Sequence, residues 1–126
     1  MLKFQPKPGS VIYCDYVGFI KPEMVKRRPA IVISKHRQNS KLLSIVPISK
    51  TVPIVVFEYQ IEMDSQFCLI HLAGERSWVK CDMFNVVSLS RLHLLRDKNS
   101  GLRHAPNVGD VFLEKVKKAI KDVHRL

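Results

Sequence analysis

The stretch "VKRRPAIVIS", Val25 to Ser34, sets three cations, Lys26, Arg27 and Arg28, directly before a proline and an apolar run. A residue before proline is driven out of the helical region into extended backbone. Arg28 is therefore fixed at the head of a strand. A planar guanidinium held there can present two parallel donors to an oxyanion such as a phosphate. Read alone, the same residues fit a solvated cationic edge before a core strand at least as well. A second stretch, "SWVKCDMF", alternates Trp78, Lys80, Asp82 and Phe84 against Val79, Cys81 and Met83. As a strand it places Lys80 and Asp82 on one face. That pair is either a carboxylate and a cation available for proton transfer or a surface ion pair.

The elements that must position these groups are mostly short strands. Gly9 to Tyr16 alternates as one strand, and Pro29 to Ser34 is a second whose continuous apolar run predicts burial on both faces. Between them "VGFIKPEMVKR", broken by Gly18 and Pro22, reads as a mobile loop. "HRQNSK" is a turn. Leu42 to Ile48 is a third strand, and Pro47 assigns it to a sheet edge or a bulge. "VPIVVFEYQI" is a fourth strand, "LAGE" a turn and "RDKNSG" a loop. "NVVSLSRLHLL" fits a short strand and a turn of helix equally. The last segment is a helix with Asp110 as its N-cap. Phe112, Val116, Ala119, Ile120 and Val123 form its apolar stripe, a core or dimer contact, with Lys115, Lys117, Lys118 and Lys121 on the remaining surface. Five or six strands closed by one helix predict a small twisted barrel.

Composition narrows the class. A chain of 126 residues is expected to form one domain with a real core. Its longest apolar runs, "VPIVVF" and "AIVI", are far short of a membrane span, and the opening "MLKFQPKPGS" has no signal-peptide pattern. Three cysteines, 14, 68 and 81, form no CxxC pair, which points to a reduced, cytoplasmic chain. The five histidines show no zinc-ligand spacing, so no metal site is expected. Net charge is +10 and unevenly spread. Lys21 to Lys50 holds eight Lys or Arg against the single acid Glu23, whereas Thr51 to Glu75 holds four acids and no Lys or Arg. A concentrated positive field points to a polyanion: nucleic acid or an acidic protein.

The ordered set "PGSVIYCDY", a loop with Glu23, "RRPAIVIS", "IVPIS" and "WVKCDMFNVVSLSRL" resembles the MazF/PemK/Kid family of toxins from bacterial toxin–antitoxin pairs. The likeness spans roughly residues 8 to 123. It implies a mainly β, SH3-like twisted barrel of five to seven short strands with a C-terminal helix, usually homodimeric. It further implies a metal-independent, cofactor-free endoribonuclease that cleaves single-stranded RNA at short sequences. The partner implied is an acidic antitoxin whose tail covers the RNA groove.

On this resemblance Arg28 matches the family's catalytic arginine and Asp82 the aspartate used by some members as general base. Ser49 stands where Thr is commoner, and its hydroxyl would hold a phosphate oxygen or orient the 2′-hydroxyl. Lys80 replaces the usual arginine partner of the aspartate. Glu23 matches a loop glutamate that acts as base or orienting group. Arg91 matches a later arginine near the dimer interface or RNA path, with no chemical step of its own. Lys26, Arg27, Lys50 and Arg37 would contact phosphates. Tyr16, Phe19 and Trp78 are candidates for base stacking, and His36 and His71 are minor candidates for a base. Two other classes fit the same barrel: a non-enzymatic, CcdB-like toxin that poisons DNA gyrase, and a basic nucleic-acid-binding barrel without toxicity.

Overall fold

The computed structural model describes residues 2–50, 57, 59–63, 76–96 and 101–126. The expected turn at "LAGE", most of "VPIVVFEYQI" and "RDKNSG", Cys68 and His71 lie outside the described residues. The strands are β1 (Val11–Cys14), β2 (Arg28–Lys35), β3 (Leu42–Ser49), β4 (Gln60–Glu62), β5 (Trp78–Lys80), β6 (Asn85–Ser88), β7 (Leu92–His93), β8 (Leu95–Arg96) and β9 (Arg103–His104). A helix, α1 (Asp110–His124), closes the chain. The main sheet is antiparallel in every pairing and runs β4-β5-β3-β2-β1-β7, with β6 also on β3. β8 and β9 form a separate ribbon.

β3 shapes the sheet. Its first half, Leu42 to Ile45, pairs with β6, and its end, Ile48 and Ser49, pairs with β5. Changing partners along one strand splits the sheet and curls it. On the other side of β3, a register shift in β2 between Val32 and Ser34 adds a bend. Pro47 is therefore not on an edge strand, as its type suggests, since β3 is paired on both sides. It lies where the ladder passes from β6 to β5, a break at which a central strand tolerates proline.

The apolar run of β2 is buried on both faces, as its continuity predicts. Ile31 and Ile33 join Val11, Val46, Ile48 and Val79 beneath the helix, while Ala30 and Val32 join Ile12, Leu43, Ile45 and Leu92 on the other side. The helix contributes Leu113, Val116, Ala119 and Ile120. Leu113 replaces Phe112 and Val123 in the buried stripe; those two are only half-buried. Burying a Leu, Val or Ile side chain of this kind stabilises by about 1.5–3 kcal/mol.

Asp110 is the first helical residue and not the cap. Gly109 caps instead, at φ 87, and its carbonyl accepts from the Leu113 N–H. Asp110 still favours the helix through the positive end of the dipole. Asn107 ties this start to the segment that leads into β1: its Oδ1 accepts from the Gly109 N–H and its Nδ2 donates to the Pro8 carbonyl.

Candidate active site

Arg28 opens β2 opposite Cys14, with Pro29 opposite Tyr13. β1 is short because the chain leaves it at Cys14 and turns through Asp15, whose Oδ1 accepts from the Val17 N–H. The loop from there to Arg28 is held at its start and its middle. The Glu23 carboxylate accepts from the Ile20 N–H at 2.9 Å, and the Ile20 carbonyl accepts from the Glu23 N–H. The Arg91 guanidinium donates to the carbonyls of Asp15 and Val17, at 3.0 and 2.7 Å, and lies over the Phe19 ring at 4.7 Å. Arg91 thus holds the loop. The loop expected to be mobile carries its own ties.

β5 ends at Lys80, and Cys81–Met83 forms a single 3-10 turn. This overturns the expectation that Lys80 and Asp82 share a strand face: the period-two rule stops at Lys80. Asp82 instead faces a cleft of about 300 Å³ whose walls include Tyr16, Phe19, Glu23, Met24 and Phe84. A second hollow, about 570 Å³, adjoins it through the shared wall Pro22–Met24 and is lined by Lys21, Lys26 and Arg28. Around this double cleft two charged groups each have an atom buried without a hydrogen-bond partner, Arg28 Nε and Asp82 Oδ1, while the Tyr16 hydroxyl is buried against the Cys14 thiol. Arg28 forms no ion pair with Asp82 or Glu23 among the described residues. Each orphaned group costs about 1–3 kcal/mol. Such groups gathered at one cleft mark a place where a ligand supplies the missing partners.

Burial pushes the Tyr16 hydroxyl well above the usual tyrosine range, so it stays neutral and can donate. The Cys14 thiol is pushed up to about 11 by burial, and the Cys81 thiol to about 12 by burial and then the Asp82 charge. Both remain thiols at neutral pH and offer no nucleophile.

The other candidates lie elsewhere. Ser49 ends β3 opposite Trp78, only 3% exposed, and lines neither hollow. Lys80 pairs with Gln60 across β4–β5 and lines neither hollow. Trp78 is 2% exposed and belongs to the core, with Arg76 over its ring, so it offers no stacking face to a base. Tyr16 and Phe19 meet edge to face at 5.4 Å and line the cleft. His36 is committed to its turn, accepting at Nδ1 from the Gln38 and Asn39 N–H groups. Arg37 sits beside it, exposed on the β2–β3 turn, and Lys50 is exposed just past β3. Arg27 turns away from the Arg28 hollow and lies over the Tyr13 ring. The Tyr16 hydroxyl is the polar group that sequence reasoning did not count as chemical. Its signal was the "DY" pair ending the first strand.

Comparison with known proteins bears on the fold and the family. Residues 7–124 match the sequence model described as PemK-like, MazF-like toxin of type II toxin-antitoxin system. An uncharacterized protein of Haemophilus influenzae is 32% identical over 111 residues, covering 76% of this chain and 75% of the relative. Among solved structures, MazF from Deinococcus radiodurans superposes with a TM-score of 0.70 at 17% identity, over 96% of this chain and 97% of that one. An endoribonuclease in complex with its cognate antitoxin, from a mycobacterial species, gives 0.64 at 17% identity over 97% of each chain. At such identities the likeness concerns the fold, a mainly β MazF-like barrel with a C-terminal helix. The match over nearly the whole sequence carries the rest: this chain belongs to the PemK-like, MazF-like toxins of type II toxin–antitoxin systems.

Proposed function

We propose that this toxin is a metal-independent endoribonuclease that cleaves single-stranded RNA and so inhibits growth. The observation that carries this reading is the orphaned pair, Arg28 Nε and Asp82 Oδ1, at adjoining hollows. The substrate's 2′-hydroxyl oxygen attacks phosphorus, its proton passes to Asp82, and the bond from phosphorus to the 5′-oxygen breaks as that oxygen takes up a proton. Arg28 stabilises the charge gathering on the phosphorane oxygens. The neutral Tyr16 hydroxyl can donate at the same cleft. Glu23, which lines the cleft with Asp82, is the group we assign to the second proton transfer, and Glu23→Gln tests it; Lys80, outside both hollows, keeps no chemical step. Ser49 positions β3 from inside the ladder. Lys26, Lys50 and Arg37 add to the field that draws in the RNA backbone.

The surplus of positive charge also fits an acidic cognate antitoxin that blocks the cleft, and we place the toxin in the cytoplasm as a homodimer. The deciding experiment incubates the protein with a defined single-stranded RNA, with and without EDTA, and identifies the new ends. Cyclic 2′,3′-phosphate and 5′-hydroxyl ends, unaffected by chelator, are expected. Chelator-sensitive cleavage or 5′-phosphate ends contradict the mechanism. Equal cleavage by the Arg28→Ala, Asp82→Ala double variant contradicts the site. Growth arrest by Arg28→Ala with cellular RNA intact would replace the enzyme with a toxin acting through a protein interface.

A further inference from the structure

The geometry points to a second phosphate-binding site, outside the cleavage cleft, formed by Arg27, Arg96 and Arg103. It would anchor the RNA backbone as it leaves the site, and in that respect it rests on the ribonuclease reading. The three arginines line a cleft of about 250 Å³ together with Leu2, His93 and Leu94, and among the described residues no carboxylate lines it. Arg96 and Arg103 stand directly opposite each other in the β8–β9 ribbon. Like charges in that position repel and weaken the pair unless an anion lies between them. Among the described residues, none of the three guanidiniums makes an ion pair. Arg27 is held in place over Tyr13, whose strand neighbour is His93.

The local field is positive enough to register on that histidine. Burial first, then the charge of the N-terminal amino group, and then those of Arg27 and Arg103 hold His93 below its usual range, with Asp15 acting in the opposite direction. Planar forks suit phosphate oxygens, and Leu2 and Leu94 give an apolar wall for a ribose or base face. An RNA phosphate is favoured over an acidic protein tail by connectivity. Arg27 and Arg28 are consecutive, their Cα atoms about 3.8 Å apart, yet one lines this cleft and the other the cleavage hollow. Arg27 turns the other way, so a strand held at Arg28 brings its neighbouring phosphates to Arg27 around the head of β2.

The test measures binding of two 2′-O-methyl RNAs, one limited to the mapped cleavage position and one extended at both ends. Wild type is compared with Arg96→Gln, Arg103→Gln, and with the Lys, Lys pair to control for charge and folding. The Gln pair is expected to bind the extended RNA at least about tenfold more weakly. Its salt dependence should be shallower by about 0.7, one single-strand phosphate, with the short RNA unaffected and the Lys pair intermediate. Inorganic phosphate should shift the His93 ring signals in wild type and not in the Gln pair. Unchanged affinity for the extended RNA overturns the anchor and leaves the ribonuclease reading standing. A His93 response to phosphate in a protein that neither binds nor cleaves RNA keeps the anion site and removes the ribonuclease. Weakened binding of polyglutamate with RNA binding intact overturns the RNA assignment in favour of an acidic protein.

Discussion

Arg28→Met separates a functional arginine from a structural one. The substitution keeps most of the apolar stem and removes the guanidinium. In the free protein Arg28 Nε is buried without a partner, and such a donor costs about 1–3 kcal/mol. Removing it relieves part of that cost, so stability should rise by about 1 kcal/mol. For a chain of this size that raises the melting temperature by roughly 3–5 °C. Catalysis should move the other way. Loss of one preorganised donor to a transition-state oxyanion costs about 3–4 kcal/mol. At about 1.4 kcal/mol per decade this is a fall of roughly 10²–10³ in rate. Single-turnover cleavage of a defined RNA gives the rate, and a urea or thermal melt gives the stability. Arg28→Lys keeps the charge but loses the fork and should already fall by about tenfold or more, whereas exposed Arg27→Lys should stay within about threefold. A variant that cleaves at nearly the wild-type rate refutes the reasoning. So does one destabilised by more than about 2 kcal/mol whose activity loss merely tracks unfolding. If the two lysine variants behave alike, the cluster is only a charged edge.

Three further outcomes follow from particular contacts. Arg91→Ala removes two charge-assisted bonds to the carbonyls of Asp15 and Val17. It should cost about 2–3 kcal/mol and speed amide hydrogen exchange at Asp15 to Phe19, while exchange in the helix keeps its pattern. Gly9→Ala places a Cβ 2.5 Å from Asn107 Oδ1 at φ 90, so it should lower stability by roughly 1–2 kcal/mol or more in a thermal melt. The buried thiols, raised from 9.0 to about 11 at Cys14 and about 12 at Cys81, keep their protons in the folded chain after the unfolded chain has lost them. Their contribution is full below pH 9 and falls as pH rises from there through 11–12. Urea melts from pH 7 to 11 should show that decline, and it should flatten in Cys14→Ala, Cys81→Ala.

Much of the scaffold was legible because the relevant rules are local. The run Ala30 to Ile33 has no polar alternation, and a strand of that kind is stable only with both faces covered, as the two core clusters show. Arg28 was legible for a similar reason: proline restricts the residue before it whatever the rest of the chain does. The helix stripe was read nearly correctly, and Leu113 was missed because a stripe offset by one residue satisfies the same period. The N-cap was misplaced because residue type favours Asp110, whereas the left-handed backbone at position 109 admits glycine readily.

By itself the amino-acid sequence determined which strands would be buried, where an arginine would be held, the concentration of positive charge and, through ordered short motifs, the family. Only the tertiary structure decided what faces the cleft. Lys80 and Asp82 separate because β5 ends between them in a 3-10 turn, and a period-two pattern cannot announce its own end. Ser49 and Trp78 go inward because β3 changes partners there and pairs them with each other. Arg91 is taken up by carbonyls 74 and 76 residues earlier in the chain. Arg96 and Arg103 meet only when β8 pairs with β9. In each case the deciding contact joins residues from different elements, and its free energy exists only once the chain has brought them together.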